Sequence, residues 1–153
     1  MRYKINGVFI KLEQDVIYQL NAYYQENTQY ETGGILLGCI GDEGNVIVIR
    51  EAYQIKSTWY SPIQYKRNAK KAQKIINKRW RETEGFINYV GEWHTHPNMR
   101  PLPSSIDKKS LYKITNCIDK QIPVVALLIL GKDNETTLTV GRGQKIDALI
   151  FNR

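Results

Sequence analysis

Apolar residues recur along the 153-residue chain with two different periods, which predict a mixture of helices and strands. A spacing of three and four residues predicts helices over Phe9 to Asn27, over the segment 62–84 and over Ser105 to Ile118. Short apolar or alternating runs predict strands over Gly33 to Ile40, Asn45 to Ile55, Phe86 to Thr95, Pro123 to Leu130, Thr136 to Val140 and Ile146 to Phe151. With no repeat or linker in view, we expect one α/β domain over residues 1–153, a mixed central β-sheet flanked by about three helices.

Composition narrows the class of protein. The chain is 42% hydrophobic and 24% charged, which is typical of a folded globular domain. It has no apolar run near the ~20 residues that a membrane span needs, and its N-terminus does not resemble a secretory signal. Two cysteines, Cys39 and Cys117, are too few for a disulfide scaffold and are interpreted as buried small hydrophobic residues. We therefore expect a cytoplasmic protein that does not contact membranes.

The formal net charge of +7 comes from one segment. Residues 52–81 hold nine Lys or Arg and no acid, which leaves 13 basic residues against all 15 acids elsewhere. In the predicted helix 62–84, an apolar face carries Tyr65, Ala69, Ala72, Ile76 and Trp80. Another face carries Arg67, Lys71, Lys74, Lys78 and Arg81. This basic face is either a solvated helix surface or a docking surface for an acidic protein. Nucleic acid is less favoured, because the sequence shows no pattern for a zinc finger, a KH loop or an RRM aromatic motif.

Both histidines of the chain fall in one tripeptide, His94-Thr95-His96. Alternate side chains of a strand point to the same face, so the two imidazoles can converge on one metal ion. Asp107 returns from the first turn of the next predicted helix as an oxygen ligand. Two His, one Asp and a water would form a four-coordinate zinc site with an open position, as in catalytic zinc. Such a site can bring the pKa of a coordinated water to about 7.

Hydrolysis at such a site also needs a base and a hydrogen-bond donor for the developing oxyanion. Glu31, at the entry to the glycine-rich strand, is a candidate base, and Ser104 is a candidate donor. Each residue also has an ordinary structural explanation. Ser104 and Asp107 match a helix capping box, and the nearby glycines 33, 34 and 38 could simply relieve crowding.

The strand that carries the histidines raises two further questions. Glu92 lies two residues before His94, so it shares the metal-facing side of the strand. It could orient a ligand histidine or pair with a nearby Lys or Arg, and the sequence leaves both alternatives open. Trp93 points the other way and is predicted to lie in the core.

Taken together, these residues resemble the JAMM signature of the MPN+/JAB metalloprotease family. The signature is a glutamate, then HxH, seven residues and SxxD, and it matches Glu31, His94-Thr95-His96, the segment 97–103 and Ser104-x-x-Asp107. The resemblance covers nearly the whole chain and implies a cytidine-deaminase-like architecture. It also implies that His94, His96 and Asp107 bind Zn²⁺, that Glu31 is the general base and that Ser104 binds the oxyanion.

The resemblance further implies hydrolysis of an isopeptide or peptide bond after the C-terminal residue of a ubiquitin-like tail. The substrate would be a protein with an extended tail, bound as an added strand beside the sheet, with glycine favoured at the cleavage point. Gly91 to Pro97 and Pro101 to Ser104 resemble small bacterial JAB proteins of CBASS antiphage operons. There a peptidase would remove a CD-NTase that an E1–E2-like enzyme had attached to targets.

Three other functions remain open at this point. Related JAB proteins process sulfur carriers or other ubiquitin-like proteins. Another alternative is a non-catalytic JAB scaffold, although such members usually lack part of the ligand set, which is complete here. The last is a JAB protein that associates with DNA through the basic helix.

Overall fold

The computed structural model describes residues 1–26, 28–56, 68–117 and 124–153. Within these ranges the chain forms β1 (Arg2–Ile5), β2 (Val8–Leu12), α1 (Gln14–Glu26), β3 (Gly33–Gly41), β4 (Val46–Gln54), α2 (Ala69–Glu82), β5 (Asn88–Thr95), α3 (Ser105–Cys117), β6 (Val125–Leu130), β7 (Glu135–Arg142) and β8 (Lys145–Asn152). The mixed sheet and three helices predicted from the sequence are confirmed.

The strands form one sheet in the order β1-β2-β4-β3-β5-β6-β7-β8. The β2–β4 and β5–β6 pairs are parallel, and the other neighbours are antiparallel. The sheet curves enough for its two edges to touch, because the rings of Tyr3 in β1 and Phe151 in β8 lie 4.7 Å apart. Strand β5, which carries His94 and ends one residue before His96, lies inside the sheet between β3 and β6.

Helices cover both faces of the sheet and create two apolar clusters. On one face, α1 buries Val16, Ile17 and Leu20 in a cluster that also contains Trp93. On the other face, α2 and α3 bury Ala72 and Leu111 in a second cluster. All six residues of β6 are buried, as expected for a central strand with apolar side chains on both faces.

The prediction of a helix from Phe9 to Asn27 is wrong at its start. Residues 8–12 form β2, in which Val8, Ile10 and Leu12 are buried while Phe9 is 53% exposed. Leu12 stands four residues before Val16, so it also fits the helical spacing of α1. The alternation of apolar and more exposed residues over 8–12 is typical of a strand. The parallel pairing with β4 shows that these residues form a strand and not the start of the helix. Strand β1 was not predicted.

The predicted helix over the segment 62–84 is described from residue 68 onwards. Its described part is α2, whose first turn is capped by the Asn68 side chain, which accepts a hydrogen bond of 3.1 Å from the Lys71 backbone N–H. Tyr65 and Arg67 lie outside the described residues. The four other basic side chains of the proposed face are exposed, namely Lys71, Lys74, Lys78 and Arg81. Exposure is compatible with a solvated surface and with a docking surface.

The apolar face of α2 differs from the predicted one. Ala72 is buried and Ile76 is partly buried, but Trp80 is 50% exposed and Ala69 is exposed as well. Arg79 turns towards the sheet instead of Trp80. Its Nε and Nη2 atoms donate hydrogen bonds of 2.9 and 2.6 Å to the two carboxylate oxygens of Glu51 in β4. A salt bridge of this bidentate kind anchors the helix at a position where the sequence pattern indicated an apolar contact.

Close packing between strands explains two of the glycines that follow Glu31. A Cβ atom at Gly34 would lie 1.8 Å from the Tyr53 carbonyl oxygen, and one at Gly38 would lie 1.9 Å from that of Val48. The interpretation that these glycines relieve crowding is therefore confirmed. Among the helices in the described ranges, not one is long and apolar enough to cross a membrane.

Candidate metal centre and active site

The two histidines come together because they are alternate residues at the end of β5. Their Nε2 atoms lie 3.1 Å apart, and both residues are buried, with 8% of His94 and 9% of His96 exposed. Thr95, between them, points to the opposite face and is fully buried. The His96 backbone N–H donates to the Leu130 carbonyl at 2.8 Å, so the ladder with β6 continues past the end of β5. The ligand pair is thus fixed by sheet geometry.

Asp107 reaches the histidines from the first turn of α3, as the sequence predicted. Its Oδ1 atom lies 3.4 Å from His94 Nε2. The other oxygen, Oδ2, accepts hydrogen bonds from the Ser104 backbone N–H at 2.7 Å and from the Ser104 hydroxyl at 2.6 Å. The Asp107 N–H in turn donates to Ser104 Oγ at 3.1 Å. This reciprocal pattern confirms the capping box, and it leaves Oδ1 directed at the histidines.

The loop between His96 and Ser104 is held by contacts with the β6–β7 turn. The Lys132 N–H donates to the Met99 carbonyl at 2.8 Å, and the Arg100 guanidinium binds Glu135 at 3.1 Å. Gly131 is required for this approach, because a Cβ atom there would lie 2.4 Å from Pro101 Cδ. Gly131 was not predicted to belong to the site. A glycine directly after a buried strand was the available signal.

Glu31 lies across the β3–β5 pair from His96. Thr95 N–H donates to the Thr32 carbonyl at 2.8 Å, and Thr32 N–H donates to the Thr95 hydroxyl at 3.0 Å. Gly33 pairs with His94 in the antiparallel ladder. Glu31, two residues before Gly33, therefore lies opposite His96, two residues after His94. Glu31 Oε1 is 3.7 Å from His96 Nε2, and the glutamate side chain is 7% exposed. The structure therefore brings the candidate base to the candidate ligands.

The three candidate ligands fit a tetrahedral zinc ion. One donor atom from each of His94, His96 and Asp107 lies within 4.8 Å of the other two. With ligand bonds of about 2.0–2.1 Å, neighbouring ligands of a tetrahedral ion stand about 3.3–3.4 Å apart. The separations of 3.1 Å between the two Nε2 atoms and of 3.4 Å between His94 Nε2 and Asp107 Oδ1 are close to this spacing. Two imidazole nitrogens and one carboxylate oxygen are also a ligand set that suits zinc.

Burial affects the protonation state of His94, one of the three candidate ligands. Removal from water lowers the pKa of His94 from its ordinary value near 6.5 to about 4. The nearby carboxylate of Asp107 opposes this shift, and the neighbouring His96 adds to it. His94 is therefore a neutral imidazole at neutral pH, which is the form that binds metals.

Glu92 and Trp93 lie where the alternation of the strand placed them. Trp93 is fully buried, its ring stacks on Tyr23 of α1 at 5.2 Å, and its indole N–H donates to the Tyr53 carbonyl. The prediction of a core position is confirmed. Glu92 is half-buried on the metal-facing side, where the Tyr89 hydroxyl donates to its Oε1 atom at 3.2 Å. Tyr89 was not predicted to take part.

A pocket of about 300 Å³ opens onto the candidate ligands. Its polar lining includes Glu31, Glu92, His94, His96 and Asp107. Its apolar lining includes Met99 and residues from α3 and β6, namely Ile106, Leu111, Ile114 and Leu127. The pocket therefore has room for a substrate segment beside the metal position.

Cys39 is not among the candidate ligands found in the described part of the chain. Cys39 is a free thiol that is partly buried and packs beside the second apolar cluster, so it is less buried than expected. The side chain of Cys117 lies outside the described part of the structure.

Comparisons with known proteins agree with this geometry. The family described as prokaryotic homologues of the JAB domain matches residues 13–142. A protein of Escherichia coli strain TW11681 named CD-NTase/cGAS isopeptidase is 33% identical over 129 residues, which are 81% of this chain and 78% of that protein. A protein of the same name from Pseudomonas aeruginosa is 29% identical over 116 residues, 74% of this chain and 72% of its own length.

The fold has a solved counterpart. The solution structure of protein DSY2949 from Desulfitobacterium hafniense superposes with a TM-score of 0.68, over 92% of this chain and 89% of that one. The sequence identity is 19%, so this likeness concerns the fold alone.

Proposed function

The chain belongs to the family of prokaryotic homologues of the JAB domain, and we propose that it is a zinc-dependent isopeptidase. It cuts the bond between the C-terminal residue of an extended protein tail and the amine of a target. One observation carries the proposal. Glu31 Oε1 lies 3.7 Å from His96 Nε2, and Asp107 Oδ1 lies 3.4 Å from Nε2 of the neighbouring His94.

His94, His96 and Asp107 are the residues that would hold the metal. Zinc held by these residues would supply Lewis-acid chemistry, which polarises a carbonyl group and makes water more acidic. The chain supplies the proton transfers. In our proposal, Glu31 takes the proton of the attacking water and delivers it to the leaving amine, which becomes a free amino group. No covalent bond forms between the enzyme and the substrate.

Ser104 is proposed to donate a hydrogen bond to the oxyanion that develops on the scissile carbonyl. In the structure its hydroxyl instead donates to Asp107 Oδ2. A hydroxyl has one proton to donate, so this role requires a rotation about the Cβ–Oγ bond. The Ser104 backbone N–H, at 2.7 Å from the same oxygen, can hold Asp107 while the hydroxyl turns.

The proposed substrate is a conjugate made by an E1–E2-like enzyme in the bacterial cytoplasm. Two relatives named CD-NTase/cGAS isopeptidase support a CD-NTase tail in a CBASS antiphage system. A sulfur-carrier or other ubiquitin-like tail is the alternative substrate. A pocket beside the metal position fits either of them, because both are extended chains.

A cleavage assay with a metal control tests the proposal. The zinc-loaded protein is incubated with a CD-NTase tail, or a ubiquitin-like tail, that is fused to a reporter or joined to a lysine. We expect cleavage after the last tail residue, loss of activity with a chelator and recovery with zinc. His94→Ala should lose both bound zinc and activity. Full zinc occupancy without cleavage of any tail would favour a scaffold, and salt-sensitive DNA binding without cleavage would favour the DNA-associated alternative.

A further inference from the structure

The second ring nitrogen of His96 faces a backbone carbonyl group. His96 Nδ1 lies 3.4 Å from the carbonyl oxygen of Arg100, which also accepts a hydrogen bond of 2.9 Å from the Leu102 N–H. Because a carbonyl oxygen can only accept, this contact requires the proton of the neutral imidazole to be on Nδ1. The Nε2 atom then keeps its lone pair for a metal ion. The position of the Arg100 carbonyl therefore orients a candidate ligand.

Arg100 is held in place by the turn between β6 and β7. Its Nε and Nη2 atoms donate hydrogen bonds of 3.1 and 3.4 Å to the two carboxylate oxygens of Glu135. The Met99 carbonyl, one residue earlier, accepts a hydrogen bond of 2.8 Å from the Lys132 N–H. The Arg100 side chain is 57% exposed, and an exposed salt bridge alone stabilises a conformation only weakly. The conformation of the turn therefore decides where the Arg100 carbonyl lies.

Arg153, which follows β8, binds both ends of this turn. Its Nη2 atom donates to the Gly131 carbonyl at 3.2 Å, and Nη1 donates to the Glu135 carbonyl at 2.8 Å and to the Thr136 hydroxyl at 3.0 Å. The Gly131 N–H donates to the same Glu135 carbonyl at 2.9 Å. The guanidinium group thus closes the turn that holds the loop between His96 and Ser104.

Helix α1 fixes the guanidinium group from its own side. Arg153 Nε donates to Asn21 Oδ1 at 2.6 Å, and Arg153 Cζ lies 5.0 Å from the centre of the Tyr24 ring. The four acceptors of these hydrogen bonds are all uncharged oxygens. A planar group with several donors in fixed directions matches this arrangement, and the single ammonium group of a lysine does not.

We infer that Arg153 is a positioning residue of the metal site. It fixes the β6–β7 turn, and the turn holds the Arg100 carbonyl against His96 Nδ1. Arg153 is not among the described residues that line the pocket, so it acts through the turn and not on the substrate. This role rests on the proposed function, because it concerns a ligand of the same metal site.

Three variants separate this role from general support of the fold. Arg153→Lys keeps the positive charge but lacks the planar set of donors. Asn21→Ala is a milder change, which removes only the acceptor of Arg153 Nε. Arg142→Lys is the matched control. The Arg142 guanidinium also donates to an uncharged oxygen, Asn45 Oδ1 at 2.8 Å, but it lies at the end of β7 away from the β6–β7 turn.

The first measurement uses the metal-free protein. At about pH 8, above the ordinary pKa of histidine, long-range ¹H–¹⁵N NMR spectra show which ring nitrogen of His96 carries the proton. We expect Nδ1–H in the wild type and in Arg142→Lys, and a mixture of both tautomers in Arg153→Lys and Asn21→Ala. The zinc dissociation constant, measured by competition with a chelator, should rise about tenfold in Arg153→Lys and change by less than about twofold in Arg142→Lys.

Several results would overturn the inference. A mixture of tautomers in the wild type would do so, as would the wild-type tautomer and zinc affinity in Arg153→Lys. Urea unfolding identifies variants that lose only stability, and such a loss alone would make Arg153 a support of the fold. Equal changes of tautomer and zinc affinity in Arg142→Lys would show a general effect of destabilisation. If Arg153→Lys does not fold, Asn21→Ala provides the same comparison.

The proposed function fails separately from this role. A wild-type protein that binds zinc and cleaves no tail would reject the isopeptidase. The tautomer of His96 and the zinc affinity of the variants would still decide whether Arg153 positions the ligand.

Discussion

Glu31 and His96 face each other across the β3–β5 pair, although 65 positions separate them in the sequence. The distance between Glu31 Oε1 and His96 Nε2 is 3.7 Å, and both side chains are largely buried. The alignment depends on the mutual hydrogen bonds of Thr32 and Thr95, which set the register one residue away. The backbone position of this candidate base is therefore set by strand register.

Replacement of Glu31 tests its proposed role as a base. Glu31→Gln should keep the zinc stoichiometry of the wild type, because Glu31 is not among the three expected ligands. It should lower kcat by about 10²–10⁴-fold, the usual contribution of a general acid–base group. Zinc content and single-turnover cleavage measure the two effects. Glu84→Gln, an exposed carboxylate in the turn after α2, is the control. Normal turnover by Glu31→Gln would remove this residue from the mechanism.

Replacement of Ser104 separates its capping role from its proposed catalytic role. Ser104→Ala removes the hydroxyl that caps α3, which should cost about 1 kcal/mol of unfolding free energy. If the hydroxyl also binds the oxyanion, kcat falls by about 10²–10³-fold at unchanged zinc content. Ser104→Thr keeps a hydroxyl and should restore most of both properties. A stability loss with nearly normal kcat would mean that Ser104 is a cap and nothing more.

The glycine at 34 should tolerate no side chain. In Gly34→Ala the new Cβ would stand 1.8 Å from a backbone carbonyl oxygen, so β3 and β4 would have to separate. We expect a loss of more than about 3 kcal/mol, or failure to fold. Gly41→Ala, at the end of the same strand, is the matched control, since its nearest neighbour would be Val46 Cβ at 4.0 Å. Urea unfolding of both variants measures the difference, and equal stabilities would contradict the packing described for β3.

The salt bridge between Arg79 and Glu51, which anchors α2, should make the free energy of unfolding depend on pH in the acidic range. The hydrogen bonds from Arg79 hold the pKa of Glu51 below its ordinary value, against the opposing effect of burial, with a smaller contribution from the Tyr53 hydroxyl. A carboxyl whose pKa is lowered by folding stabilises the protein above its unfolded pKa of about 4.3. That stability is lost as the pH falls through the folded value.

Glu51→Gln in the metal-free protein measures this contribution. At pH 7 the variant should be less stable than the wild type, because the Arg79 guanidinium loses one of its two charged partners and keeps only Glu82. Urea unfolding between pH 7 and pH 3 should show a steeper decline for the wild type than for the variant. Parallel declines would mean that this pair does not titrate with folding.

The sequence predicted that the candidate ligands come together because most of their geometry is local. His94 and His96 need only the alternation of one strand, and Ser104 and Asp107 need only one helical turn. The contact of Glu31 with His96 depends on strand register, which becomes visible only when β3 and β5 are paired. The glycine-rich context and the family resemblance make Glu31 a candidate base. The distance between Glu31 and His96 cannot be derived from the sequence.

The predictions of secondary structure and burial were wrong in two places. In one, a strand pattern and a helix pattern overlap, and in the other a charged side chain packs where the pattern indicated an apolar one. Leu12 fits both the strand of β2 and the helical spacing of α1, so a single-sequence pattern extended the helix backwards. Trp80 fits the apolar spacing of α2, yet Arg79 is the residue that turns inwards. The partner of Arg79 is Glu51 in a distant strand, and no local pattern reveals it.

The position of β5 inside the sheet has a consequence for how the protein acquires its metal. Edge strands β1 and β8 can fray by local fluctuations, but β5 is paired on both sides and its neighbour β6 is entirely buried. The amide hydrogens around the histidines should therefore exchange with solvent only through global unfolding. Because the sheet holds the two histidines in place before an ion binds, little of the free energy of metal binding is needed to order them.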